Sequence, residues 1–144
     1  MAGIRGVHTK PERTVRTHLH RAGFRYRLHV STLPGRPDLV LRKYGAVLFV
    51  HGCFWHQHRG CRDATKPSTN AIFWRKKLSG NRKRDARQIR ALRENGWRVG
   101  VFWECAARKG VADLVTLRKL ARWLKQRSGY REFPTTPVRS RSRG

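Results

Sequence analysis

The feature that most constrains the fold is an uninterrupted apolar run, GAVLFV, at residues 45–50. A strand that faces solvent on one side alternates apolar and polar residues, whereas a short continuous run suits a central strand covered on both faces. WRVGVFWE at residues 97–104 predicts a second strand. We therefore expect a sheet that is flanked by helices.

The rest of the chain predicts further elements around these strands. Thr9 is the expected N-cap of a helix that runs to Ala22, with Glu12 at the capping-box position. FRYRLHV at residues 24–30 alternates and predicts a half-buried strand, with His29 on its polar face. The other expected elements are a strand at 39–42 and helices at 71–79, 81–95 and 111–126.

The element order, α-β-β-β-α-α-β-α, predicts an α/β fold with a mixed sheet flanked by helices. One domain is expected over residues 1–133, because a chain of this length builds a single core. Residues 134–144 are expected to form a basic, disordered tail, since they are rich in Arg and Pro and offer nothing to a core.

The composition is strongly basic, with 34 Lys and Arg against 8 Asp and Glu and a formal net charge of +26. Such an imbalance indicates a polyanionic partner, and nucleic acid is the first candidate because Lys and Arg neutralise phosphates. An Arg-rich surface without a specific partner, or association with ribosomes, is the alternative. The sequence has no apolar signal region at its start and no apolar run of about 18 residues, so we expect a cytoplasmic protein without a membrane span.

Three cysteines and a histidine predict a metal site. Cys53, His58 and Cys61 lie close together, and Cys105 follows the strand at 97–104. Thiolates with one imidazole form the closed Cys3His tetrahedron of structural zinc sites, which leaves no position open for water. The alternative for Cys105 is a small buried apolar residue behind its strand.

The chain holds only eight carboxylates, so candidates for a catalytic cation are few. A phosphodiesterase that uses Mg²⁺ needs oxygen ligands, and Asp38 lies at the start of a strand just before the central one. Taken by itself, Asp38 is more simply explained as a turn residue. His51 and His56 are not among the predicted zinc ligands, and their imidazoles are suited to proton transfer. The alternative is that they only surround the zinc site or lie on the surface.

Two aromatic pairs, Phe54-Trp55 and Phe73-Trp74, stand among His, Arg and Lys. That setting favours aromatic wedges, which insert between base steps and stack there. A single pair is more often part of a core, so the inference depends on the presence of two.

Five segments of the chain carry a family resemblance. They are IRGVHTKPE (4–12), LPGRPDLVL (33–41), VHGCFWHQHRGC (50–61), IFWRKKLSGNRKRDARQIRALRENGWRV (72–99) and FWEC (102–105). In this order they resemble the very short patch repair (Vsr) endonucleases, over about residues 1–107. The resemblance implies a restriction-endonuclease-like fold related to the PD-(D/E)XK enzymes. It also implies a bacterial, nucleoid-associated enzyme that nicks duplex DNA 5′ to the thymine of T·G mismatches, which arise when 5-methylcytosine deaminates.

The resemblance further implies a role for each candidate residue. Asp38 would be the central Mg²⁺ ligand, helped by the backbone carbonyl of Val50, and His56 would activate the attacking water. His51 and Glu12 would complete this site, and Asp85 would orient a histidine. The implied structural zinc ligands are Cys53, His58, Cys61 and Cys105, and the implied intercalating side chains are Phe54, Trp55 and Trp74.

One departure from the family pattern concerns the zinc loop, because the interval from His58 to Cys61 is one residue longer than we expect. We expect a monomer that acts on mismatched duplex DNA, with mismatch-repair proteins as candidate partners. Two alternatives stay open. One is a nuclease of the same fold that belongs to a restriction–modification system and cuts a different target. The other is a zinc-stabilised DNA-binding module whose nuclease site is inactive.

Overall fold

Within residues 9–107 and 110–134, which the computed structural model describes, five strands form one mixed sheet in the order β1-β2-β3-β4-β5. The strands are β1 (Arg27–Leu28), β2 (Leu39–Leu41), β3 (Ala46–His51), β4 (Arg98–Trp103) and β5 (Tyr130–Phe133). Neighbours among β1, β2 and β3 pair antiparallel, whereas β3 with β4 and β4 with β5 pair parallel. The mixed sheet expected from the sequence is confirmed.

The helices of the described part of the chain are α1 (Lys10–Arg21), α2 (Ala71–Glu94) and α3 (Gly110–Leu124). Thr9 caps α1 as expected, with its Oγ1 accepting the Glu12 amide at 3.3 Å. α1 and α3 pack on one face of the sheet, and α2 packs on the other. None of the helices in this part is long and apolar enough to cross a membrane.

β3 is the interior strand that the apolar run predicts. Ala46 and Leu48 join the core formed with α1 and α3, whereas Val47 and Phe49 join the core under α2. The strand ends at His51, which lies in register with the last residue of β4, Trp103. Residues that follow the two strands therefore lie together at the C-terminal ends of β3 and β4, which is where open sheets place their functional groups.

The prediction of two helices at 71–79 and 81–95 is wrong, because α2 runs unbroken through Gly80. A glycine inside a helix costs about 1 kcal/mol relative to alanine. Contacts on both sides of Gly80 offset that cost: Leu78 is buried, and Asn81 Nδ2 donates to the Trp55 carbonyl at 3.0 Å. One rigid element consequently carries both the aromatic residues at its start and Asp85 further along.

The edges of the sheet also differ from the sequence-based prediction. Only Arg27 and Leu28 of the strand expected at 24–30 pair with β2, because His29 takes a left-handed φ of 47° and leaves the extended conformation. β5 is absent from the prediction, since Arg131 and Glu132 interrupt its apolar residues. The tail expected at 134–144 lies outside the described residues, apart from Pro134.

The side chain of Arg98, at the start of β4, fastens α3 to the sheet. Its guanidinium donates to the carbonyls of Tyr44 at 3.2 Å, Leu124 at 3.1 Å and Ser128 at 2.9 Å, and also to that of Trp123. The same group lies 4.4 Å from the centre of the Trp123 ring. Arg98 therefore binds carbonyls in the last turn of α3, where a helix lacks its own i+4 donors.

Candidate active site and metal centre

The predicted zinc ligands form one buried cluster just beyond the ends of β3 and β4. The donor atoms of Cys53, His58, Cys61 and Cys105 all lie within 4.8 Å of one another. His58 Nδ1 is 3.6 Å from the Sγ atoms of both Cys53 and Cys105. Tetrahedral zinc with ordinary Zn–S and Zn–N bonds would hold sulfur and nitrogen about 3.6 Å apart. The cluster therefore has the spacing that a tetrahedral metal ion requires.

Tight turns bring Cys53, His58 and Cys61 together despite the longer interval between His58 and Cys61. The His58 amide donates to the Cys53 carbonyl at 3.0 Å, and the Cys61 amide donates to the His58 carbonyl at 3.2 Å. Left-handed φ angles of 47° at Gln57 and 74° at Gly60 allow these turns. The loop accommodates the extra residue, and both His58 and Cys61 lie in the candidate metal cluster.

The protonation of the thiols supports the same interpretation. A hydrogen bond to Cys105, together with burial, raises the pKa of the Cys53 thiol, and burial raises the pKa of the Cys61 thiol. A cation bound among these sulfur atoms would lower the pKa of the thiols and favour the thiolates that act as ligands.

A stacked pair of histidines lies beside the cluster. The rings of His51, at the end of β3, and His56 are parallel within 5°, with centroids 3.8 Å apart. His56 Nδ1 lies 2.6 Å from Asp85 Oδ2, which α2 supplies. An imidazole that donates from Nδ1 to a carboxylate keeps Nε2 as the acceptor. Burial, with His56 and His58 nearby, lowers the pKa of His51 well below its usual value, so this ring is neutral at pH 7.

Asp38 is held against β3 by the backbone of Val50, whose amide donates to Asp38 Oδ2 at 2.7 Å. Burial raises the pKa of Asp38 to about 6; the Val50 amide opposes the rise and the nearby Glu12 adds to it. A carboxylate that pays this desolvation penalty beside a second carboxylate is stabilised by a cation. The charges of His29 and His56 lower the pKa of Asp38, so both histidines interact electrostatically with this carboxylate.

Glu12 lies beside Asp38 and is almost completely buried, with 1 % of its surface exposed. Its carboxylate pairs with Arg16 at 2.9 Å and with His29 Nε2 at 2.9 Å. Glu12 therefore has two roles in the structure. Its amide binds the side chain of the N-cap residue Thr9, and its buried carboxylate acts on Asp38. His29 is a member of the site that the sequence interpretation missed, because its alternating context predicts a residue on the polar face of a strand.

The four aromatic side chains of the two sequence pairs gather into one cluster. The Phe54 ring centre lies 5.0 Å from that of Trp55 and 5.6 Å from that of Trp74, and Phe73 lies 5.3 Å from Trp74. Trp55 is 46% exposed and Phe73 is 59% exposed. Large apolar side chains that remain this exposed on a protein of charge +26 are suited to contact a polyanion with apolar faces.

Trp103 links the metal cluster to the histidine pair. Its ring stacks on His58 at 4.0 Å and meets His51 edge-on at 5.3 Å. Its Nε1 donates to Glu132 at 2.9 Å, and Tyr130 donates to the other carboxylate oxygen of Glu132 at 2.7 Å. A cleft of about 680 Å³ between α2 and the strands β4 and β5 is lined by His51, Trp103, Tyr130 and Glu132. The sequence offered no signal for Glu132, because its strand was not predicted.

Comparisons with known proteins match most of the chain. The family model for the DNA mismatch endonuclease Vsr matches residues 1–62. The type II nicking enzyme V.XorIIP of Xanthomonas oryzae is 49% identical over 105 residues, which are 73% of this chain and 76% of that protein. The DNA mismatch endonuclease Vsr of Escherichia coli is 39% identical over 126 residues, 86% of this chain and 80% of the relative. The type II nicking enzyme V.NmeAIP of Neisseria meningitidis is 39% identical over 125 residues, 87% of this chain and 89% of the relative.

Proposed function

The chain belongs to the Vsr family of DNA mismatch endonucleases, and we propose that it nicks one strand of duplex DNA 5′ to the thymine of a T·G mismatch. The fold of this family is restriction-endonuclease-like, in agreement with the mixed sheet flanked by helices. The observation that carries the proposal is the link from Asp38 to the histidine pair: the Val50 amide donates to Asp38 at 2.7 Å, and the next residue, His51, stacks on His56.

The catalytic part of the proposal assigns each polar group a task. Asp38 and the backbone carbonyl of Val50 would hold Mg²⁺, which when bound stabilises the charge on the scissile phosphate and on the leaving 3′ oxygen. His56 accepts the proton of the attacking water at Nε2, because Asp85 engages Nδ1 and stabilises the imidazolium that forms. Water adds to phosphorus as the P–O3′ bond breaks, and the departing O3′ takes a proton from solvent, which leaves a 5′-phosphate and a 3′-hydroxyl.

His51 and Glu12 support this site from two sides. The His51 ring, buried and neutral, stacks on His56 and fixes the plane in which its Nε2 points. Glu12 adds negative charge beside Asp38 and so favours a cation there. Both side chains are buried, which keeps their positions independent of the substrate.

Zinc in the Cys3His cluster would fix the loop between β3 and α2. The spacing of 3.6 Å between His58 Nδ1 and two thiols supports this assignment. That loop carries Phe54, Trp55 and His56 between the ligands Cys53 and His58. A closed metal site would therefore hold the aromatic cluster and the proposed base in fixed positions relative to Asp38.

The aromatic cluster supplies a physical reason for selecting a mismatch. Insertion of Phe54, Trp55 and Trp74 between base steps requires unstacking, and unstacking is least costly at a mismatched pair. The basic surface supplies affinity for any duplex, and the wedge adds discrimination. Duplex DNA with a T·G pair is accordingly the proposed substrate. We propose that the protein acts on it as a monomer.

A second candidate function follows from the names of the relatives. The X. oryzae and N. meningitidis proteins are named type II nicking enzymes, and the former is 49% identical to this chain. A nicking enzyme tied to a restriction–modification system, with another sequence or lesion as its target, fits the same catalytic site.

Both candidates are tested by a nicking assay with Mg²⁺ on an end-labelled duplex that carries one T·G pair, with an otherwise identical T·A duplex as reference. The proposal predicts a nick 5′ to the mismatched thymine, and Asp38→Asn abolishes it. Equal nicking of both duplexes favours the second candidate. Tight binding of the T·G duplex without a nick by the wild-type protein identifies a DNA-binding module instead.

A further inference from the structure

His29 contacts both carboxylates of the proposed cation site, although the mechanism above gives it no task. Its Nε2 lies 2.9 Å and 3.1 Å from the two oxygens of Glu12 and 3.9 Å from Asp38 Oδ1. The side chain is only 10% exposed. A buried imidazole nitrogen that faces two carboxylates has the surroundings of a metal ligand.

The backbone holds His29 in this position at some strain. Its φ of 47° lies in the left-handed region, which side chains other than that of glycine seldom adopt. The His29 amide donates to the Asp38 carbonyl at 3.0 Å, so the two residues are joined through the main chain as well. Strained residues of this kind are retained where the surrounding structure fixes them, and they concentrate at functional sites.

The donor spacing suits one six-coordinate cation. The nitrogen of His29 and one oxygen each from Glu12 and Asp38 lie within 4.8 Å of one another. Ligands about 2.1 Å from a cation lie about 3.0 Å apart when adjacent and about 4.2 Å apart when opposite. The separations of 2.9 Å and 3.9 Å from His29 to the two carboxylates fall in that range.

We propose that His29 is a nitrogen ligand of the catalytic cation, together with Asp38 and Glu12, and that it shifts the preference of the site from Mg²⁺ towards divalent transition-metal ions such as Mn²⁺. This inference rests on the proposed function, in which Asp38 holds the cation. Mg²⁺ takes oxygen ligands almost exclusively, whereas first-row transition ions accept imidazole nitrogen. A site with one imidazole and two carboxylates therefore discriminates less strongly in favour of Mg²⁺ than an all-oxygen site does.

The test uses Mn²⁺ as a paramagnetic probe of the zinc-loaded, full-length protein. Electron spin-echo spectra of bound Mn²⁺ should contain the ¹⁴N modulation of a directly bound imidazole, and His29→Gln should remove it. The same substitution should weaken Mn²⁺ binding by about tenfold or more, measured from the signal of free Mn²⁺, and should weaken Mg²⁺ binding less. His20→Gln is the matched control: His20 is exposed at the far end of α1, about 12 Å along the helix from Glu12, and both measurements should remain at wild-type values.

Two results would overturn the inference. One is wild-type protein that binds Mn²⁺ without ¹⁴N modulation, and the other is modulation that persists unchanged in His29→Gln. His29→Asn replaces His29→Gln if thermal melting shows that the glutamine variant does not fold. Nicking of the T·G duplex by the same wild-type preparation in Mg²⁺ tests the proposed function separately, because nicking without nitrogen ligation refutes His29 alone.

Discussion

The His56–Asp85 pair leads to a quantitative prediction about catalysis. Asp85→Asn keeps the size of the side chain and removes its charge, so the hydrogen bond to His56 Nδ1 survives in neutral form. If His56 accepts the proton of the attacking water, the carboxylate of Asp85 stabilises the imidazolium in the transition state more than it stabilises the neutral ring in the ground state. The substitution should therefore lower the rate of the chemical step and leave DNA binding nearly unchanged.

The size of the effect follows from the geometry of the pair. Nδ1 and Oδ2 are 2.6 Å apart, and the side chains are 28% and 16% exposed, so solvent screens the interaction only in part. A charge-assisted hydrogen bond contributes about 1.5–3 kcal/mol and the neutral bond that replaces it about 0.5–1.5 kcal/mol, so the substitution removes about 1–1.5 kcal/mol. At about 1.4 kcal/mol per tenfold in rate, Asp85→Asn should slow nicking roughly 5- to 12-fold. Asp85→Ala should slow it further, because the ring also loses its orientation.

Single-turnover nicking of the T·G duplex with enzyme in excess measures this step directly. Glu94→Gln is the matched control, since it removes one negative charge from the exposed surface of the same helix and should leave the rate within about twofold. A rate for Asp85→Asn within twofold of the wild-type rate would refute the role of His56 as the base. A loss of DNA affinity that equals the loss of rate would refute it as well.

Three further substitutions test the metal cluster, the aromatic cluster and the contacts of Arg98. Cys105→Ser should lower zinc content and melting temperature together, because metal binding is coupled to folding; one zinc per chain in the variant would contradict the assignment of the cluster. Trp55→Ala should reduce the preference for T·G over T·A duplexes by about 1–3 kcal/mol in competition binding, and an equal loss of affinity for both duplexes would exclude a wedge. Arg98→Ala should lower the free energy of unfolding by about 3 kcal/mol in urea titrations, because carbonyls of Tyr44, Leu124 and Ser128 lose a charged donor. Arg127→Ala, at an exposed neighbour of the same turn, serves as its control, and equal unfolding curves for the two variants would show that Arg98 is not the fastening group.

The parts of the site that lie close together in sequence are the parts that sequence reasoning places well. His51, Cys53, His56, His58 and Cys61 follow one apolar strand, so the end of that strand fixes their neighbourhood. Cys105 joins them because β4 runs parallel to β3 and ends beside it. The N-cap at Thr9 is equally local, and the structure confirms it.

The features that sequence reasoning misses depend on distant contacts or on backbone conformation. His29 enters the site because its φ is left-handed, and nothing in an alternating segment indicates that departure from a strand. Glu132 holds Trp103 from β5, a strand stabilised by its pairing with β4 rather than by its own pattern. Gly80 stays within α2 because Asn81 binds the loop that carries Trp55, a contact across 26 residues.

Competition between two duplexes in one tube shows whether this protein is a mismatch-directed nicking enzyme. The duplexes carry T·G and T·A at the same position and different fluorophores, with Mg²⁺ present, and the nicked products are separated by length. We expect the T·G duplex to be cut at least about 100-fold faster, on the thymine strand alone, which corresponds to about 2.7 kcal/mol of discrimination. Equal rates on the two duplexes would contradict it.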